Sequence, residues 1–376
     1  MKFTTTTLAA IAASATMIAR SDAGTITAIY GPTGTPTFAS TFVTGVSADG
    51  STVTGSSSYG VSEVAFRWTA ATGSAALANL STTTRSNGTA VSGDGSTVVG
   101  WSINSSSGRS ATWWTSGGIS DLGVLPSGSG ANYDHRSIAA NTDGSVIAGY
   151  YRNASSFRPF RWTSTGGMQA LSTANLPTGI GDVMTTGMSA DGSMIVGGYS
   201  GYNGSAYSGA WRWTQSNGMQ SLGNLGTTGT TTAFGVSADG STIVGQSANQ
   251  AFRWTSGGGM VSLGSLGTWT SSRAIAASAD GSTIVGWASS SNAGASFIWT
   301  SAGGMQGLAA YLASNGINVA PWSNLNIQAI SADGRTFVGA GSYGGQTVGF
   351  VATIPGPGAI ALLGVAGVAL ARRRRG

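Results

Sequence analysis

Between Gly24 and Ile354 the sequence holds eleven carboxylates, one imidazole and no thiol, and these few groups bound the chemistry the chain can attempt. Seven of the carboxylates stand in one repeated context, Ser-x-Asp-Gly or a near copy: Asp49, Asp94, Asp143, Asp191, Asp239, Asp280 and Asp333. Carboxylates presented regularly from loops suit a hard cation such as calcium. Each copy, however, supplies a single carboxylate, and Asp-Gly is also the preferred pair of a type I′ β-turn, in which both central residues take φ > 0. These seven are therefore read as structural turn residues, with no metal site and no cofactor expected. The other acids, Glu63, Asp121, Asp134 and Asp182, never neighbour another carboxylate. Asp134-His135 is the sole acid and imidazole pair; it lies in a Ser/Gly-rich stretch and is expected in a solvent-exposed loop. Zinc chemistry or a cysteine nucleophile would need ligands that this composition does not offer.

The elements that position these groups follow from the repeat. The Asp-Gly pairs are 45, 49, 48, 48, 41 and 53 residues apart, and a Gly follows each Asp by six: Gly55, Gly100, Gly149, Gly197, Gly245, Gly286 and Gly339. A fixed offset inside a variable period marks one rigid local unit, a β-hairpin. With Asp239-Gly240 as a two-residue loop, Ala238 faces Ser241, Ser237 faces Thr242 and Val236 faces Ile243. Across the copies this last pair reads Val46/Val53, Val91/Val98, Ala140/Ile147, Met188/Ile195, Val236/Ile243, Ala277/Ile284 and Ile330/Phe337. All are apolar, as cross-strand partners on a buried face should be.

A Trp-bearing strand follows each of six hairpins, with aromatics two apart in Phe66-Arg67-Trp68, Phe160-Arg161-Trp162, Trp211-Arg212-Trp213, Phe252-Arg253-Trp254 and Phe297-Ile298-Trp299 and adjacent in Trp113-Trp114. The Trp residues read as core, and the Arg before four of them as packed along or over an aromatic neighbour. A Gly-Gly-Met turn or its relative and a Leu-Gly-x-Leu segment complete four short strands per period. Seven such periods predict an all-β, seven-bladed β-propeller of four-stranded antiparallel blades, against an open β-solenoid or two smaller β domains. The seventh copy stops after three strands, while Thr25 to Tyr30 stands unassigned before the first hairpin. That N-terminal strand is expected to complete the last blade and close the ring.

The residue after each hairpin Gly varies while its surroundings do not: Ser56, Trp101, Tyr150, Gly198, Gln246, Trp287 and Ala340. Variable positions on a rigid repeated scaffold carry recognition in repeat folds. Trp101, Tyr150 and Trp287 are therefore the candidate ligand-binding residues, flat faces for sugar rings, with Tyr151, Tyr199, Trp269 and Trp322 as neighbours. The plainer alternative is that they pack between blades.

The formal charge of +5 lies at the ends: from Gly24 to Ile354 eleven Arg balance eleven acids, so nucleic acid is not an expected partner. Residues 1–23, with Lys2, an apolar stretch and Ser21-Asp22-Ala23, read as a signal peptide for signal peptidase, and residues 24–354 as the propeller domain. Residues 355–376 combine Pro355-Gly356-Pro357, a short apolar segment and Arg372, Arg373, Arg374 and Arg375. This tail resembles the PEP-CTERM sorting signal, with Gly356 in place of the usual Glu. The resemblance implies an exosortase-like processing enzyme, transient membrane anchoring through the tail, and a cell-surface or exopolysaccharide-associated product. An ordinary C-terminal membrane tail is the alternative. The repeat, from Ser-x-Asp-Gly through Ala-Phe-Arg-Trp-Thr to Gly-Gly-Met-x-x-Leu-Gly, resembles the extracellular HAF-repeat family of bacterial surface proteins. The His that often precedes the Ala-Phe pair in that family is replaced by Val64 and Gln250. The expected function is that of an exported, non-enzymatic surface or matrix protein, with exopolysaccharide or another surface protein as partner. The alternative is a propeller lyase or hydrolase acting on extracellular glycans.

Overall fold

The computed structural model describes residues 24–32, 40–82, 85–125, 134–153, 156–202, 206–226, 229–291 and 293–356. The signal-peptide segment, Pro357 and the arginine cluster lie outside the described residues.

Seven four-stranded antiparallel sheets follow one another along the chain as simple meanders. Blade 1 spans Ser40 to Ala76, blade 2 Ser86 to Asp121, blade 3 Arg136 to Ala170, blade 4 Ile180 to Ser221, blade 5 Thr231 to Ser262 and blade 6 Ser271 to Gly307. Blade 7 takes three strands from Trp322 to Thr353 and its outermost strand from Thr25–Ile29, which pairs with Gln346–Thr353 from Thr25 opposite Thr353 to Ile29 opposite Gly349. The ends of the domain thus meet in one sheet, as the missing strand predicted. A short helix, Leu308–Ser314, breaks the all-β pattern inside the longest repeat interval, anchored by buried Leu308 and Leu312.

The seven predicted cross-strand pairs, Val46 opposite Val53 through Ile330 opposite Phe337, all form. The second member of each is buried, because the second strand of every blade is sandwiched between neighbouring blades; Val98–Ile103 is buried along its whole length. Hydrophobic packing divides into seven clusters, each spanning one blade interface. In the one joining blade 7 to blade 1, Ile29, Val338 and Val351 pack with Val43, Val53 and Phe66. A single four-stranded blade has two apolar faces and no partner, so its burial comes from its neighbours.

The hairpin turn is not type I′. Only its Gly has positive φ, from 69° at Gly281 to 76° at Gly50, and none of the seven Asp does. At Asp239 the carboxylate explains why: Oδ1 accepts from Ser237 Oγ at 2.6 Å and from Ser241 N–H at 2.8 Å. Ser237 Oγ in turn accepts from Thr242 N–H at 3.0 Å, and Ser237 O from Gly240 N–H at 3.0 Å. This side-chain clamp holds Asp in its ordinary conformation and leaves φ > 0 to Gly. Ser237 still faces Thr242, but Ala238 is released from the hairpin, which matters at the propeller axis. A two-residue turn with both φ positive does occur elsewhere, at Ala248 (48°) and Asn249 (64°) between Ser247 and Gln250.

Candidate functional site

The released residues tie the blades together. Ala48 N–H donates to Gly93 O, Asp94 to Thr142, Thr142 to Ala190, Ala190 to Ala238, Asp239 to Ala279, Ala279 to Ala332 and Ala332 back to Ala48, all at 2.8–3.0 Å. Every blade interface therefore carries a main-chain bond at the mouth where the Asp turns gather. Hydrogen bonds from Ser189 and Ser193 hold the Asp191 carboxyl below the usual range; at Asp49 and Asp239 burial pushes upward, and the bonds from flanking Ser residues outweigh it.

Above this ring the innermost strands enclose a cavity of about 380 Å³. Val46, Val91, Ala140, Met188, Val236, Ala277 and Ile330 line it, so the first member of each apolar pair faces the channel. Each innermost strand also slips register by one residue, and the bulged residues are Thr44, Thr89, Ile138, Thr186, Phe234, Ile275 and Gln328. All seven line the cavity. Thr44 Oγ1 donates to Gly88 O at 2.6 Å and Thr89 Oγ1 to Ser137 O at 2.6 Å, each in the next blade, so these hydroxyls serve the fold. Among the described residues that line the cavity none is ionisable. Sequence reasoning missed the bulge, although one signal was present: opposite it sits the hairpin Gly. A Cβ on Gly245 would run into Thr232 O, and the other six meet the equivalent carbonyl.

The variable position lies toward the other mouth, at the seam between successive blades. Ser56 Oγ accepts from Asn87 Nδ2 of blade 2 at 3.0 Å, and Gln246 Nε2 donates to Ser272 O of blade 6 at 3.1 Å. Trp101 is 5% exposed, with the Arg109 guanidinium 4.7 Å above its ring. Tyr150 is half-buried, edge-on to Phe157 at 5.2 Å, with Arg136 5.9 Å from its ring centre. Trp287 is half-buried and packs closely on Gly294. Trp101 and Tyr150 sit on adjacent blades and are linked through Arg109, Asp134 and Arg136; Trp287 stands three blades further on. Of the neighbours, Tyr151 and Tyr199 are buried, whereas Trp269 and Trp322 are half-buried and pack against the core clusters.

Asp134 is clamped. Its Oδ1 accepts from Arg136 Nε at 2.8 Å, and its Oδ2 from Arg136 Nη2 at 3.0 Å and Arg109 Nη1 at 3.4 Å. Burial works against the Arg136 charge, but Asp134 and Tyr150 hold it firmly protonated. His135 is fully buried, contrary to the exposed loop expected of it. The segment entering blade 3 forms a parallel bridge between Asp134 and Arg109, and His135 N–H donates to Arg109 O at 2.9 Å. Strand-like alternation then sends Asp134 and Arg136 to one side and His135 to the other, edge-on to Tyr151 at 6.0 Å. Burial pushes the imidazole pKa down; Asp121 and Asp134 oppose that only partly.

The strand aromatics also act between blades. Trp114, Trp162 and Trp213 are buried, and Trp68, Trp254 and Trp299 half-buried. Arg212 stacks 4.6 Å over Trp254 and Arg253 5.6 Å over Trp299, each on the following blade's Trp rather than its own neighbour. In blade 2 the Arg position is Trp113, and this ring meets Trp162 of blade 3 at 4.9 Å.

Among the described residues no group of three or more His, Cys, Asp or Glu is placed to hold a metal, and no helix is long and apolar enough to cross a membrane. No protein-family model and no curated protein matches the sequence. Solved structures do match in fold. An oligogalacturonate lyase from Vibrio parahaemolyticus is 11% identical over 89% of this chain and 97% of its own, with a TM-score of 0.54. An oligogalacturonate lyase in complex with manganese is 12% identical over 83% and 88%, with a TM-score of 0.53. The β-propeller domain of the Trilobed protease from Pyrococcus furiosus, described as having an open velcro topology, is 9% identical over 84% and 95%, with a TM-score of 0.54. These likenesses agree with the fold seen here, a seven-bladed β-propeller, and extend to the fold alone.

Proposed function

We propose that this chain is an exported, non-catalytic interaction protein of the cell surface or extracellular matrix whose propeller holds exopolysaccharide. One observation carries the reading. All eleven carboxylates of the domain accept hydrogen bonds within the protein: seven are turn clamps, Glu63 accepts from Asn87 and Ser56, Asp121 from Gly123 N–H, Asp182 from Phe157 N–H, and Asp134 from two arginines. A glycan-cleaving site needs an acid or base that faces its substrate. Here carboxylates build the scaffold, and blade-to-blade variation concentrates at the seams and loops opposite the turns. Signal peptidase and an exosortase-like enzyme would process the two ends, with the tail as the only membrane contact.

The test is co-sedimentation of the full chain with polysaccharide extracted from the producing cells, beside a Tyr150→Ala/Trp287→Ala variant of unchanged melting temperature. Sedimentation of the parent supports the reading, and its loss in the variant places the contact at these two positions. A parent that stays in the supernatant overturns the glycan partner and leaves another surface protein. A second reading, a propeller lyase or hydrolase, draws on Asp121 and Asp134, whose charges act on the buried His135. Cleavage of oligogalacturonate or of the extracted polysaccharide by the parent, abolished by Asp134→Asn, would establish it instead.

A further inference from the structure

We propose that the pocket around Trp269, between blades 5 and 6, is a subsite for one neutral sugar unit; this rests on the glycan reading above and gives it a place and a ligand class. The pocket encloses about 170 Å³ and is lined by Trp269 together with Asn249, Gln250, Ser265, Thr270 and Ser271. A pyranose presents an apolar C–H face and a rim of hydroxyls. The half-buried indole of Trp269, packed on one side against the core between the blades, offers the first a flat partner, and amides and hydroxyls satisfy the second. Among the described residues no charged side chain lines the pocket, so the lining offers neither a uronate nor a phosphorylated sugar a counter-charge.

The walls are built in advance. The turn carrying Asn249 has φ of 48° at Ala248 and 64° at Asn249, and is pinned by Ala248 N–H to Thr230 O at 3.1 Å and by Ser272 N–H to Asn249 O at 2.9 Å. Gln250 Oε1 accepts from Ser262 Oγ at 2.8 Å, which orients its amide, and Trp269 N–H donates to Leu266 O at 3.2 Å. Walls held by main-chain bonds lose little further freedom when a ligand enters. Chain connectivity puts the pocket at the end of the propeller opposite the Asp turns, on the side of the variable seams.

Saturation-transfer NMR and Trp fluorescence on the full chain, titrated with glucose, galactose, mannose and their short oligomers, test this directly. The parent should bind at least one neutral sugar, and Trp269→Ala should weaken it about tenfold or more, as loss of an aromatic anchor does. Trp269→Phe should recover part of the affinity. Asn249→Gly suits the positive φ, leaves the fold intact and removes only the amide, so a loss in this variant comes from the site itself. Unchanged sugar binding in both Trp269→Ala and Asn249→Gly overturns the subsite, as does a parent blind to every neutral sugar. If extracted polysaccharide still sediments with the parent in that case, the glycan reading stands and this subsite alone falls. Sugar binding at Trp269 without sedimentation of any polysaccharide keeps the subsite and removes the polymer as its source.

Discussion

Closure of the ring rests on one short strand, and Ile29→Ala tests it. Ile29 is completely buried, opposite Gly349 in the seventh blade and packed with Val43 and Phe66 of the first. Trimming a buried Ile to Ala costs about 2–5 kcal/mol, transfer and cavity together. For a domain running from Gly24 to Ile354, an unfolding entropy of roughly 2.1 cal/mol/K per residue gives about 0.7 kcal/mol/K. The melting temperature of the full chain should therefore fall by roughly 3–7 °C in a calorimetric or fluorescence melt. Ala28, on the same strand, is only half-buried and lies outside that cluster, so Ala28→Ser should change the melt by about 1 °C or less. A chain lacking Gly24 to Tyr30 should leave the strand Gln346–Thr353 with an open edge and self-associate. If Ile29→Ala melts within 1 °C of the parent and the deletion remains monomeric, the strand does not close the ring.

Two further outcomes follow from the same geometry. Gly245→Ala should destabilise the domain by about 1–3 kcal/mol or more, since its Cβ meets Thr232 O and the Phe252 ring in a packed sheet; a chemical-denaturation midpoint equal to the parent's would refute the close approach. His135 is the single histidine, so its ring resonances in a pH-titration NMR experiment are unambiguous. Its folded pKa lies below the ordinary value, so the unfolded chain binds the proton first as pH falls. Stability should decline as pH drops below about 6.5, with the ring still neutral in the folded protein at that pH. An imidazole that titrates at or above 6.5 would refute its burial.

Much of this architecture is legible in the sequence, because it is periodic. The Asp-Gly offset, the apolar pair flanking it and the missing seventh outer strand each follow from local pairing rules, and the seven predicted pairs and the closing strand are found in place. The candidate residues Trp101, Tyr150 and Trp287 were legible as variable positions of the second, third and sixth repeats, but the burial of Trp101 beneath Arg109 was not. What the repeat hid was anything decided between blades. The serine clamp that keeps Asp239 out of the left-handed region frees Ala238 for Ala190, and that bond joins residues 48 positions apart. Arg212 has its own strand Trp as a sequence neighbour and stacks on the next blade's instead. His135 sits in a polar, Ser/Gly-rich stretch that reads as loop, yet one bridge to Arg109 turns its ring inward. The Trp269 pocket has walls from two blades that a linear reading keeps twenty residues apart. Local strand and turn preferences act over a few residues and are written in each copy. Burial, stacking and the shape of a pocket depend on which surfaces the closed ring presses together, and only the tertiary structure decides that.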